Sequence, residues 1–162
     1  MSSRVGVFVD VGNQFYYANK KWPGKKVNYR DYYALAQSHG HVNRAIAYGT
    51  QIDGSAVKFT TALQHIGFEC CWRNVERGKW YSWDVGIAMD AFTFAEQSEL
   101  DVVILGTSNY TMAHVVRSLR NRGVKVIIMA CNIPQELREA ADHCIEITEK
   151  MLERPDAHTK AT

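Results

Sequence analysis

The feature that most constrains this chain is a regular alternation of short apolar runs with segments of helical period. Val5–Val9, Ala45–Tyr48, Phe68–Trp72, Val102–Leu105 and Val124–Met129 are short apolar runs, interrupted only by Glu69 and Lys125, the pattern of strands buried on both faces. Between them, apolar residues recur at i, i+3, i+4 and i+7. These sets are Tyr32/Leu35/Ala36/His39, Phe59/Ala62/Leu63/Ile66, Ala88/Ala91/Phe92/Ala95 and Met112/Val115/Val116/Leu119. The last segment ends in Arg120-Asn-Arg-Gly123, basic residues in a final turn followed by a glycine cap. Strand alternating with helix predicts an α/β fold, a single three-layer domain around a mainly parallel sheet. A sixth short strand is expected at Cys144–Ile147.

The 162 residues are one domain's worth, and 46% hydrophobic against 22% charged residues is the make-up of a globular chain. We expect the domain to occupy residues 1–149, with 150–162 a polar tail. No apolar run approaches the ~20 residues that span a bilayer, so no membrane role is expected. The N-terminus leads straight into a strand-like run without the pattern of a signal peptide. Cys70, Cys71, Cys131 and Cys144 form neither a disulfide framework nor a C-x-x-C metal site. A reduced, cytoplasmic protein is the expectation. The formal charge of +2 neither advertises nor excludes a nucleic-acid partner.

In a doubly wound sheet, ligands bind beyond the carboxyl ends of the strands. Asp10 ends the first apolar run and Asn13 follows it; Asp84 opens a helical segment; Thr107, Ser108 and Asn109 follow the fourth run and begin the next helix. These three places should converge at one edge of the sheet. Asp101 begins its strand and belongs to the opposite edge. Asp10 and Asp84 each have a plainer reading as helix caps. Asp90, about 240° round the helix from Asp84, reads as a solvated or supporting acid. A carboxylate pair with scattered histidines suits a hard cation such as Mg²⁺ or Mn²⁺, which activates water and stabilises phosphoryl charge. Dinucleotide, P-loop, zinc-protease and serine-hydrolase motifs are all missing from the chain.

Two segments interrupt the alternation. Lys20-Lys-Trp-Pro-Gly-Lys25-Lys26 and Arg77-Gly-Lys79-Trp80-Tyr81 combine cations with aromatic rings, the pairing that phosphates and unstacked bases reward. Lys25, Lys26, Lys79 and Trp80, with Ser108, are therefore candidate nucleic-acid contacts. Arg117, Arg120 and Arg122 suit the polar face of a helix instead. Tyr16, Tyr17, Tyr29, Tyr32 and Tyr33 are open to either a core or a homodimer interface.

Three stretches, Val7-Phe-Val-Asp-Val-Gly-Asn-Gln-Phe-Tyr-Tyr17, Trp83-Asp-Val-Gly-Ile-Ala-Met-Asp-Ala-Phe92 and Val102-Val-Ile-Leu-Gly106 leading into Val115–Val126, carry a resemblance. In order and spacing they resemble the LabA-like NYN-domain proteins, a branch of the PIN-like nucleases with a Rossmann-like fold. Leu137-Arg-Glu-Ala-Ala-Asp142 fits the end of that pattern. The resemblance implies a metal-dependent ribonuclease acting on single-stranded or structured RNA. It makes Asp10 and Asp84 ligands of Mg²⁺ or Mn²⁺, with Asn13, Thr107 and Asn109 completing the catalytic set. One departure stands out. Where the family usually has Gly-Asp-x-Asp-Phe, this chain reads Gly106-Thr107-Ser108-Asn109-Tyr110. Two carboxylates are replaced by neutral groups, and divalent affinity falls with anionic ligand count. A catalytically silent module that binds nucleic acid or a protein is therefore the alternative expectation.

Overall fold

Each apolar run forms a strand, and the strands lie side by side in one sheet. The computed structural model describes residues 2–153. In chain order its elements are β1 (Arg4–Asp10), α1 (Val11–Lys21), α2 (Tyr29–Gln37), β2 (His41–Gln51), α3 (Val57–Ile66) and β3 (Glu69–Asn74). They continue with α4 (Asp84–Gln97), β4 (Val102–Gly106), α5 (Ala113–Asn121), β5 (Lys125–Ala130), α6 (Gln135–Ala140) and β6 (His143–Glu146). The six strands are ordered β3-β2-β1-β4-β5-β6, and every neighbouring pair is parallel.

Side-chain alternation divides the core into two layers. Val5, Val7 and Val9 of β1, with Ile127 and Met129 of β5, pack beneath Ala18, Tyr32 and Leu63 of the first three helices. Phe8, Val103, Leu105, Val126 and Ile128 face the other way, against Ile87, Ala91, Val116, Leu119 and Leu137. Tyr32, fully buried, anchors its hydroxyl on the Met129 carbonyl at 2.7 Å. Tyr29 is likewise core, so neither ring is available to an interface, whereas Tyr16 is exposed.

The strand order places a topological switch between β1 and β4. From β1 the chain winds outward to β2 and β3; α4 then carries it back across the sheet to β4, and it winds outward again. The two loops that leave β1 and β4 therefore diverge and open a crevice at the carboxyl edge.

Three details differ from the sequence expectations. β2 starts at His41, four residues before the apolar run, because His41–Arg44 alternates exposed with half-buried residues. Asn109 caps a 3₁₀ turn, Tyr110–Met112, so Thr107–Asn109 precede α5 instead of beginning it. The tail does not begin at residue 150. Leu152 is buried and bridges Val27, and the Met151 carbonyl accepts the Asn28 N–H at 2.8 Å. The rest of the expected tail, residues 154–162, lies outside the described residues.

Candidate functional site

Asp10 is held where β1 becomes α1. Its backbone is extended and its Oδ1 accepts the Asn13 N–H at 3.0 Å, so it caps the helix as well as facing the crevice. Asp84 is different. Trp83 occupies the cap position of α4, which leaves the Asp84 carboxylate in the first turn and free of capping duty. Asp10 and Asp84 line one cavity of about 440 Å³, together with Asn13, Tyr16, Lys79 and Asn109. Lys79 and Trp80 come from the β3–α4 loop, and the Trp80 ring is 87% exposed at the rim.

The Asp10 carboxyl is pushed up to about 6. Burial is the main cause, the nearby Asp84 charge adds to it, and the Asn13 and Gly12 N–H groups oppose it.

Asn109 donates its Nδ2 to Asp84 Oδ2. Its Oδ1 is already taken by the Thr111 N–H at 3.1 Å, so the amide can present only its donor to the cavity. Thr107 is buried, with Oγ1 accepting the Asn109 N–H at 3.1 Å. Ser108 is buried too, its hydroxyl donated to the Cys131 carbonyl. Neither Thr107 nor Ser108 lines the cavity; both shape the loop behind it.

Gln14 was not among the sequence candidates, and it organises the site. The side chain is wholly buried. Its Nε2 donates to Asn13 Oδ1 at 2.9 Å and to Ser108 Oγ at 3.2 Å, and its Oε1 accepts the Cys131 N–H at 2.7 Å. Asn13 Oδ1 also accepts the Ser108 N–H at 2.9 Å. One amide thus ties α1 to the loops after β4 and β5. The signal for it was positional: Val11, Gln14 and Ala18 share the buried face of α1.

The remaining candidates separate. Lys25 pairs with Glu149 at 2.5 Å and lines neither this cavity nor its neighbour. Lys26 lines a second cavity described below. Asp90 accepts the Tyr48 hydroxyl at 2.7 Å, a supporting contact. Asp101 pairs with Arg4 at the opposite edge of the sheet, as expected. Arg120 pairs with Asp142 at 3.1 Å, also away from the crevice.

Among the described residues no group of three or more His, Cys, Asp or Glu could hold a metal ion. The donor set is Asp10 and Asp84 alone. That set fits Mg²⁺ or Mn²⁺, hard ions that often take one or two carboxylates and complete their shell with water and substrate phosphate. It does not fit an ion caged entirely by protein.

An acid-floored crevice at the switch point of a parallel sheet defines the class: an α/β domain built to meet a ligand at its carboxyl edge. The NYN domain family matches residues 4–149, and the chain belongs to that family. A protein of unknown function from Vibrio parahaemolyticus has the same fold, with a TM-score of 0.84 and 25% identity over 94% of this chain and 97% of that one. A cobalamin-binding protein from Desulfitobacterium hafniense overlaps at a TM-score of 0.31 and 16% identity, over 64% of this chain and 53% of that chain, too slight to bear on fold or ligand. No curated protein matches the chain. Among the described residues no helix is long and apolar enough to cross a membrane.

Proposed function

We propose that this protein is a divalent-metal-dependent ribonuclease of the LabA-like branch, hydrolysing phosphodiester bonds of single-stranded or structured RNA in the cytoplasm. The observation that carries the proposal is the meeting of Asp10 and Asp84 on one cavity, with Lys79 and Trp80 at its mouth. Asp10 and Asp84 would hold Mg²⁺ or Mn²⁺, and such an ion would supply charge compensation for the scissile phosphate and polarise the attacking water. Below pH about 6 a proton on the Asp10 carboxyl would compete with such a cation. Asn109 orients Asp84 by donating to one of its oxygens, leaving the other toward the ligand. Asn13 and Gln14 fix the loop that carries Asn109. Lys79 draws the strand's phosphates to the crevice, and Trp80 offers a face to an unstacked base.

In hydrolysis, water adds to phosphorus and one P–O ester bond breaks. One product end carries a phosphate monoester and the other a hydroxyl. The test is cleavage of labelled single-stranded RNA in Mn²⁺, Mg²⁺ and chelator, beside Asp10→Asn. Metal-dependent cleavage lost in the variant supports the reading, and undiminished cleavage by the variant removes Asp10 from it.

A second reading is a catalytically silent module that binds nucleic acid or protein. The Asn109 donor on Asp84 and the buried Thr107 favour it, because neither supplies the negative charge the family pattern leads one to expect. Absence of cleavage with retained RNA affinity would select it.

A further inference from the structure

A second cavity, of about 470 Å³, lies on the other side of the α1 N-terminus. It has a different character from the acidic one: Phe15, Tyr29, Phe59 and Trp72 contribute rings, and Lys26 is its cation. The rings touch in sequence, Tyr29 to Phe59 and Phe59 to Trp72, each at 6.0 Å between centroids. Phe15 is half exposed, so this aromatic wall meets solvent.

The two cavities share a wall made of Gly12, Gly49 and Thr50. Helix α1 is the partition. Val11 and Phe15, one turn apart, face the aromatic side, while Asn13, Tyr16 and Tyr17 face the acidic side. Gly12 stands between them and faces both. A Cβ built on Gly12 would meet only Asp10 Oδ1, at 3.7 Å, so packing does not demand a glycine there. Its missing side chain leaves a gap in the partition. Gly49 differs, because the Trp72 indole lies directly on it and a Cβ would fall 2.3 Å from Cζ2. There the glycine is required by the ring packed on it.

We propose that the aromatic cavity is a base subsite. It receives the unstacked nucleobase of the nucleotide whose phosphate lies against Asp10 and Asp84, and the sugar-phosphate chain crosses at Gly12. The proposal rests on the reading of the acidic cavity as an RNA site. Its volume lies within the roughly 300–1,000 Å³ of pockets that enclose small organic ligands, a nucleoside among them. Aromatic walls take any base through its π-face. Lys26 at the same cavity pairs with the next phosphate along the chain. Strand polarity and spacing thereby become properties of one helix, with a phosphate on one side and a base on the other.

The test compares two probes by fluorescence anisotropy, with Ca²⁺ in place of Mg²⁺ and again in chelator: a labelled single-stranded RNA and the same ribose-phosphate chain without bases. Wild type should prefer the base-bearing strand by at least about ten-fold, the equivalent of one stacked base. With Trp80→Ala made in every protein compared, so that its ring does not contribute, Phe15→Ala should abolish most of that preference, Phe15→Trp should restore it, and affinity for the baseless strand should stay constant across all three. A preference indifferent to Phe15, or an equal loss on both probes, overturns the subsite. Cleavage of the same RNA separates the two proposals. Base-dependent binding without any cleavage leaves the subsite standing and removes the hydrolytic reading. Cleavage that needs Asp10 but ignores Phe15 does the opposite. No affinity for either strand overturns both.

Discussion

Asn109 and Asp84 are joined by a hydrogen bond whose direction is fixed from outside the pair. The Thr111 N–H occupies Asn109 Oδ1, so only the Nδ2 donor can turn to the carboxylate. A residue placed where a cation would be approached thus carries a positive dipole end. Asn109→Asp keeps the acceptor for Thr111 and reverses the polarity toward Asp84. The expected outcome is Mn²⁺ affinity at least about ten-fold tighter by titration calorimetry, from the added anionic ligand. Without metal, the same variant should be less stable by about 1–2 kcal/mol, from lost hydrogen bonding and like-charge contact.

Asp10 gives the pH prediction. Its carboxyl sits at about 6 in the folded protein against an ordinary 3.8. The folded state therefore binds this proton more tightly than the unfolded state does. Stability from this group is full below pH about 4 and is lost as pH rises to about 6, by up to about 3 kcal/mol. Asp10→Asn removes that loss. We expect the variant to be more stable than wild type at pH 7.5 in chelator, with the difference vanishing near pH 4 in urea titrations. Metal affinity of the wild type should climb across the same interval, since the cation displaces the proton.

Gln14→Leu keeps the bulk and removes every polar contact. The buried Cys131 N–H loses its acceptor, and Asn13 and Ser108 lose their common donor. The loss should be about 2–4 kcal/mol in chemical denaturation. Because Gln14 lines neither the acidic nor the aromatic cavity, turnover should fall through misplacement of Asn109, with a lowered kcat and little change in RNA affinity.

Asp90→Asn tests the assignment of that acid to the scaffold. The Tyr48 hydroxyl keeps an acceptor in the amide but loses a charged one. A stability change of about 1 kcal/mol is expected. Metal affinity should match wild type, and a ten-fold loss would bring Asp90 into the site.

The parallel sheet was legible because its strands are short, apolar and separated by periodic helices, a pattern with few other solutions. Asp10, Asp84 and Asn109 could be placed together because Asp10 ends the first strand, Asp84 opens a helix and Asn109 follows the fourth strand, all at the carboxyl edge of a parallel sheet. Helix α1 was harder to see. Its buried stripe is Val11, Gln14 and Ala18, with a polar residue at the position where periodicity needs an apolar one. The residue that organises the site was thus also the one that hid its helix. Thr107 and Ser108 were read as facing the ligand, since spacing gives no side-chain direction in an irregular loop. Their hydroxyls turn inward to Asn109 and Cys131, satisfying backbone groups where no ladder does. The position of Lys25 was set by Glu149, a contact 124 residues away in sequence.

The bonds of Gln14 also set an order of events during synthesis. Both carboxylates are in the chain once residue 84 is added, but Ser108 and Cys131 are not. Until residue 108 is made, the amide that aligns the loops has no partner beyond its own helix, and its carbonyl waits for Cys131, just past β5. A nascent chain can therefore carry both acids and still have nothing that positions them. Alignment arrives late and in two steps, the first after the fourth strand and the last after the fifth.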